Sequence, residues 1–198
     1  MNKRAITEQP IHPILAERWS PRAFSEQPVP DGVLGSLLEA ARWAPSSRNE
    51  QPWRFVVVER QNVDAHTALT GVLSGNNQLW AGSAPLLLVA VAAAKNDRDA
   101  SPNAYAWYDL GQAVAHLTFQ ASADGLVLHQ MGGFDKTQAR VVLALPDDYD
   151  PVAVIAIGYP GEVDALPAPL QEREKGVRTR RALAESVSYG SWGKSRDS

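Results

Sequence analysis

The chain has 198 residues, of which 44% are hydrophobic and 21% are charged, so it can fold as one globular domain around a hydrophobic core. Its formal net charge of −3 excludes the overall basic excess that binds a nucleic-acid backbone or an anionic membrane surface. The sequence contains no cysteine, which excludes disulfide bonds, thiolate catalysis and cysteine-ligated zinc.

The distribution of apolar residues indicates a soluble, cytoplasmic protein that does not enter a membrane. Residues 1–19 lack an apolar core of signal-peptide length. The most apolar segment, residues 84–94, has about half the length that a bilayer span requires.

The first half of the chain alternates between helical and strand patterns. A helix over residues 30–44 is predicted because Val33, Leu34, Leu37 and Leu38 recur on one face. Strands are predicted where a short run is rich in β-branched residues, or where the residues that would face both sides of the sheet are apolar. Helices are predicted over residues 12–19, 30–44 and, from a weaker pattern, 62–73; strands over residues 54–60 and 86–94; and a glycine-rich polar loop over residues 74–85.

The second half predicts the longest helix, which ends at Gly125 because glycine adopts a left-handed helix cap at little cost. The polar residues 161–198 contain prolines and basic residues, and they predict an extended C-terminal arm without a packed layer. The remaining predictions are a polar loop over residues 95–103, helices over 104–125 and 135–145, and strands over 126–131 and 152–160.

Irregular alternation of helices and strands around a few buried strands predicts a single three-layer α+β domain over residues 1–198. The sequence lacks the G-x-G-x-x-G dinucleotide fingerprint, the P-loop and the G-x-S-x-G nucleophile motif. Its four histidines are scattered without the spacing of metal ligands, so we interpret them as structural or solvent-facing.

The segment RWSPRAF is a candidate anion-binding element. Arg18, Ser20 and Arg22 recur at every second position around a proline, and an extended turn places such side chains on one side. Two guanidinium groups and a hydroxyl suit a phosphate, since the arginine fork donates paired hydrogen bonds. The alternative interpretation is a pair of solvated arginines that flank a turn.

Two further segments could contribute to such a site. Arg178, Arg180 and Arg181 form a short basic run in the C-terminal arm, where a solvated run of charges is the alternative. Gly132 and Gly133 follow a strand, so their backbone can approach a ligand closely, although an ordinary strand-to-helix turn explains them equally well.

These segments resemble motifs of the nitroreductase family of FMN-dependent oxidoreductases. RWSPRAF, APSSRNEQPWRF, GLVLHQMGGFD and RTRRALAESV occur in the family's order and cover almost the whole chain. The resemblance implies a mixed central sheet flanked by helices and an intertwined homodimer that binds FMN at its interface. It also implies NAD(P)H as co-substrate and nitroaromatics, quinones or similar conjugated acceptors, reduced in a ping-pong cycle at flavin N5 without a catalytic side chain.

Site residues follow from the same resemblance. Arg18 and Ser20 would bind the phosphate and ribityl end of FMN, and Arg22 would lie beside the N1–O2 edge of the ring. The backbone of residues 131–133 would face N5. The implied cofactor-binding residues are Arg18, Trp19, Ser20, Arg22, Pro45, Ser46, Ser47, Asn49, Asn76, Gln130, Met131, Gly132, Gly133, Arg178 and Arg180.

Some of these residues would act across the dimer interface. Ser46, Ser47 and Asn49 would reach the flavin of the partner subunit from the polar loop between the second helix and the first strand. Asn76 would meet the pyrimidine edge, and Arg178 with Arg180 would close over the phosphate.

The substrate pocket is the least determined part of this prediction. The loop over residues 95–103 is short, whereas the family often has extra helices there, so the pocket is predicted to be open. Tyr105, Trp107 and Tyr108 could line it or could pack within the protein. Two other functions remain possible: a flavin-binding or flavin-destroying protein of the same fold without NAD(P)H-dependent turnover, and a dimeric protein that binds acidic ligands with its basic arm.

Overall fold

The computed structural model describes residues 3–196. The strands within these residues are β1 (Trp53–Glu59), β2 (Leu86–Ala93), β3 (Val127–Met131) and β4 (Tyr149–Gly158). The helices are α1 (Pro13–Glu17), α2 (Asp31–Arg42), α3 (Val63–Gly71), α4 (Gly75–Ala81), α5 (Ala106–Ala123), α6 (Lys136–Val142) and α7 (Ala168–Lys175). Short 3₁₀ turns occur at Ser47–Asn49, Val163–Ala165 and Leu183–Glu185.

The four strands form one sheet in the order β1-β2-β4-β3. All eight residues of β2 are buried, since β2 lies between two neighbouring strands and is covered on both faces. The α+β class and the four predicted strands are confirmed. Every strand pairing within residues 3–196 is antiparallel, which differs from the mixed sheet that we expected.

Helices cover both faces of the sheet and create two hydrophobic cores, which is the predicted three-layer arrangement. Alternate residues of β2 face opposite cores because successive side chains of a strand point to opposite faces. Leu86 and Leu88 pack with α2 and α5, while Leu87 and Val89 pack with α3, α4, α6 and α7.

The longest helix, α5, presents a buried face of small and aliphatic residues that packs against α2 and the sheet. It ends as predicted at Gly125, whose φ of +78° lies in the left-handed region that glycine favours. The amide of Leu126 then donates to the carbonyl oxygen of Ala121 (2.8 Å), which directs the chain into β3.

Residues 74–85 were expected to form a loop, but the structure contains helix α4 there, so this prediction was wrong. Two residues of this polar segment make tertiary contacts. Trp80 is buried in the core, and Gln78 Nε2 donates to the carbonyl oxygens of Gly71 (2.9 Å) and Leu73 (2.8 Å). These contacts stabilise a short helix whose local sequence favours a turn.

The C-terminal segment also differs from the predicted extended arm, because it contains helix α7. Leu170 and Glu174 are buried four residues apart on one face of this helix, and Leu166, which precedes the helix, is buried as well. Beyond α7 the chain is mostly exposed up to residue 196. No helix within residues 3–196 is long and apolar enough to cross a bilayer.

Candidate functional site

Arginines from opposite ends of the chain line one cavity of about 760 Å³. Arg18 follows α1, while Arg178 and Arg180 follow α7. The predicted convergence of these segments is therefore present in a single chain. Apolar side chains of Ile11 and Leu15 contribute part of the wall.

The guanidinium groups of this cavity repel one another. Burial, together with the charges of Arg178 and Arg180, lowers the pKa of Arg18 from its ordinary value. Burial and the charge of Arg180 likewise lower the pKa of Arg178. Positive charges that are held together and partly dehydrated form a binding site for an anion, because an anion relieves the repulsion.

Hydrogen bonds fix part of this cluster. Arg178 donates to the carbonyl oxygens of Lys3 (2.6 Å) and Ala16 (3.0 Å), so it also attaches the C-terminal segment to the N-terminal one. Arg18 donates to Ser20 Oγ (3.4 Å), which places a hydroxyl next to the guanidinium as predicted.

Arg22 is paired with a residue that the sequence analysis did not identify. Its backbone amide donates to Glu174 Oε1 (2.6 Å), and its guanidinium donates to Oε2 (3.1 Å). The Glu174 side chain is fully buried, whereas 25% of the Arg22 side chain is exposed. A quarter of the Arg22 side chain therefore remains accessible from outside the chain.

The segment that contains Arg22 lies beside β3. His129 Nδ1 donates to the carbonyl oxygen of Pro21 (2.9 Å), and the imidazole packs against Trp80 with ring centroids 4.5 Å apart. Burial lowers the pKa of His129, although the hydrogen bond to Pro21 opposes this change. His129 is therefore a structural residue, in line with the interpretation of the sequence.

The strand continues from His129 into the predicted glycine turn. Gln130 is exposed on β3, with Nε2 3.4 Å from Thr118 Oγ1, and Met131 is buried. A Cβ atom at Gly133 would meet Ser74 Oγ at 2.7 Å, whereas a Cβ atom at Gly132 would meet nothing within 4 Å. The backbone at Gly132 is thus open to an approaching molecule.

Asparagine side chains at the start of α4 adjoin this turn. Asn77 Nδ2 donates to the carbonyl oxygen of Gly133 (3.2 Å), and the amide of Ser74 donates to the same oxygen (2.9 Å). Asn76, which the resemblance selected, is exposed. The structure therefore assigns the direct contact with the turn to its neighbour Asn77.

The polar loop between α2 and β1 has an unusual backbone. Arg48, Asn49 and Gln51 have φ values of 52°, 58° and 48°, in the left-handed region that disfavours most side chains. The amide of Ser47 donates to Asp109 Oδ2 (3.0 Å), and Asp109 is buried at the start of α5. This carboxylate, missed from the sequence, holds the loop in its strained conformation.

Within the loop, Ser46 Oγ accepts a hydrogen bond from the amide of Gln51 (3.0 Å), while Pro45 and Asn49 are exposed. Asn49 is thus accessible on the surface of its own chain. This geometry is compatible with the predicted contact to a partner subunit.

The aromatic residues near the start of α5 do not pack within the hydrophobic core. Tyr105, Trp107 and Tyr108 are 57%, 52% and 70% exposed. Lys136 Nζ lies 4.6 Å from the centroid of the Trp107 ring. Trp107 is thereby placed near the residues that follow the glycine turn.

Trp19 is partly buried, with Lys3 Nζ 4.8 Å from the centroid of its indole ring. Within residues 3–196, no group of three or more histidine, aspartate or glutamate side chains could hold a metal ion. The chain thus presents three separate features that could serve a ligand: an arginine-lined cavity, an open glycine turn and exposed aromatic rings.

The chain is thus a three-layer α+β domain with an arginine-lined cavity whose charge suits an anionic ligand. The family model named Nitroreductase matches residues 15–159, and the chain belongs to the nitroreductase family.

Individual relatives agree with this assignment. A crystal structure described as an oxidoreductase containing FMN has a TM-score of 0.88 and 35% sequence identity, with 98% of each chain covered. A Desulfovibrio desulfuricans protein in complex with FMN has a TM-score of 0.71 and 27% identity, covering 94% of this chain and 99% of its own. A Thermus thermophilus protein named NADH dehydrogenase is 32% identical, covering 74% of this chain and 84% of its own.

Proposed function

We propose that the protein is an FMN-dependent oxidoreductase that uses NAD(P)H to reduce nitroaromatics, quinones or similar conjugated acceptors. The observation that supports this most directly is the cavity where Arg18 meets Arg178 and Arg180. Family membership and the similarity to proteins that contain FMN agree with it.

The residues of the site suit FMN from its phosphate to its ring. A phosphate dianion would offset both the burial and the charge repulsion that lower the pKa of Arg18, and Ser20 supplies a hydroxyl beside it. The exposed part of Arg22 would bind the N1–O2 edge. A hydrogen bond to a charged group contributes roughly 1.5–3 kcal/mol, so Arg22 would favour negative charge at that edge.

The opposite edge of the ring would lie against the glycine turn. Gly132 leaves space for close approach, and Gly133 is held by Ser74 and Asn77, so the turn would offer backbone groups to N5. When bound, FMN accepts a hydride at N5 from NAD(P)H and returns two electrons to an acceptor. The protein therefore needs no dedicated pair of acid and base side chains.

The exposed aromatic rings would form one wall of the substrate pocket. Tyr105, Trp107 and Tyr108 would stack with a nicotinamide or an aromatic acceptor, since each is more than half exposed. Both substrates would use the same pocket in turn, which is a ping-pong cycle.

A homodimer would complete the site. The loop with Ser46, Ser47 and Asn49 is held by Asp109 in a conformation that exposes Asn49, and we assign it to the flavin of the partner subunit. Proline at position 45 restricts the path of this loop and lowers the entropy lost on ordering.

The visible spectrum of the purified protein, followed by anaerobic addition of NADH or NADPH, tests the proposal. Flavin absorption should bleach on addition and return when a quinone is added. A yellow protein that does not bleach would instead be a flavin-binding protein without turnover. A protein that stays colourless after addition of FMN would refute the flavin function and favour a binding role for the basic arm.

A further inference from the structure

Glu174 is a fully buried carboxylate whose hydrogen-bond partner, Arg22, belongs to the proposed flavin site. Its two oxygens accept two different hydrogen bonds from Arg22, one from the backbone amide and one from the guanidinium. A buried carboxylate is unfavourable unless it is paired and its lone pairs are satisfied. Arg22 provides both an opposite charge and two hydrogen bonds to this carboxylate.

The helix that contains Glu174 is attached to the same segment at a second point. Lys3 Nζ donates to the carbonyl oxygens of Glu174 and Gly176, and it lies over the ring of Trp19. These oxygens stand at the C-terminal end of α7, where a cation is favourable. Helix α7 is thus bonded to Arg22 directly and to Trp19 through Lys3.

We propose that Glu174 is a positioning residue that holds Arg22 in the orientation required at the N1–O2 edge of FMN. This inference rests on the proposed flavin function, and it adds to it a role for α7. Fixing the backbone amide and the guanidinium together restricts both ends of the Arg22 side chain. The effect of Arg22 on the flavin then depends on Glu174, which does not itself contact the cofactor.

Glutamine at position 174 distinguishes positioning from simple packing. Glu174→Gln keeps the volume of the side chain, but it offers one acceptor oxygen and one donating NH₂ group, so it cannot accept both hydrogen bonds from Arg22. Glu172→Gln is the matched control, because Glu172 lies on the same helix with its side chain 78% exposed and forms a surface ion pair with Lys175.

The first experiment measures the flavin midpoint potential in four proteins: the wild type, Arg22→Ala, Glu174→Gln and the double variant. Glu174→Gln should lower the preference for reduced over oxidised FMN by about 3- to 10-fold, a tenfold change being about 30 mV for two electrons. In the Glu174→Gln protein, the further substitution Arg22→Ala should change this preference by less than about twofold, since Arg22 acts on the flavin only when Glu174 positions it. Glu172→Gln should match the wild type.

An unchanged or raised midpoint potential in Glu174→Gln would overturn the proposal. The potential would then not depend on how Glu174 places the Arg22 guanidinium. Additive effects of the two substitutions would overturn it as well, since additivity indicates independent roles.

A second experiment needs no cofactor, and its first measurement uses the wild-type protein alone. In the wild-type apoprotein, hydrogen exchange of the Arg22 amide should be slowed at least about tenfold by its bond to Glu174. Glu174→Gln should reduce this protection but leave that of Ser25, whose amide donates to the carbonyl oxygen of Tyr159 (3.0 Å). An unprotected Arg22 amide in the wild type would overturn the proposal even if Glu174→Gln fails to fold.

The two experiments separate the inference from the proposed function. A protein that binds no FMN refutes the flavin function and the flavin role of Glu174 together. A yellow protein that turns over normally, with a midpoint indifferent to Glu174→Gln, retains the flavin function and refutes the positioning role alone.

Discussion

Replacement of Arg180 by glutamine should weaken FMN binding without destabilising the apoprotein. In the absence of an anion, Arg180 contributes to the repulsion that lowers the pKa values of Arg18 and Arg178. Its side chain donates locally, to the carbonyl oxygen of Thr179 (2.7 Å), and it is exposed. The folded chain therefore loses little when this charge is removed.

The size of the binding effect follows from the bond that Arg180 would form with phosphate. A hydrogen bond to a charged group contributes roughly 1.5–3 kcal/mol, and 1.4 kcal/mol is a factor of ten in Kd. Arg180→Gln should accordingly raise the Kd for FMN by about 10- to 100-fold. Arg173→Gln is the control, since Arg173 is exposed on α7 and does not line the cavity.

The assay is quenching of FMN fluorescence by the apoprotein at two salt concentrations, with the Tm of the apoprotein measured in parallel. Added salt should weaken wild-type binding more than Arg180→Gln binding, because the variant makes one charge contact fewer. A Kd within twofold of the wild-type value, or a Tm that falls by several degrees, would refute the reasoning about the arginine cluster.

Three further predictions concern stability. Ala144 has a φ of 49°, so Ala144→Gly should raise the free energy of unfolding by about 0.5–1 kcal/mol. Gly125→Ala should lower it by a similar amount, and urea denaturation measures both changes. Asp109→Ala should cost about 1–3 kcal/mol in the same assay, since the Ser47 amide loses its charged acceptor. Burial lowers the pKa of His129, so the unfolded chain binds a proton more readily. The free energy of unfolding should thus fall as pH drops below about 6.5, and less steeply in His129→Gln.

The strands were predictable because their signal is local. The apolar run of β2 is buried on both faces, which is what an uninterrupted apolar sequence indicates. Gly125 was likewise predictable, since its left-handed conformation follows from the absence of a Cβ atom. In both cases the physical cause lies within the residues of the element itself.

The helices that were missed depend on contacts between distant parts of the chain. Helix α4 contains polar residues that favour turns in isolation, and Trp80 holds it through packing against Phe24 and His129. Helix α7 has weak local signals, and its buried residues Leu170 and Glu174 are fixed by contacts with the rest of the chain.

The site residues also fall into a group that could be predicted from the sequence and a group that could not. Arg18, Arg178 and Arg180 could be selected from the sequence because phosphate recognition restricts the choice of residue type. Asp109 and Glu174 could not, since each accepts hydrogen bonds from a distant part of the chain, and the sequence does not show which donor it will meet. Residues that contact a ligand are constrained by its chemistry, whereas residues that hold them are constrained only by the fold. The supporting carboxylates are therefore where substitutions should change function without altering any recognisable motif.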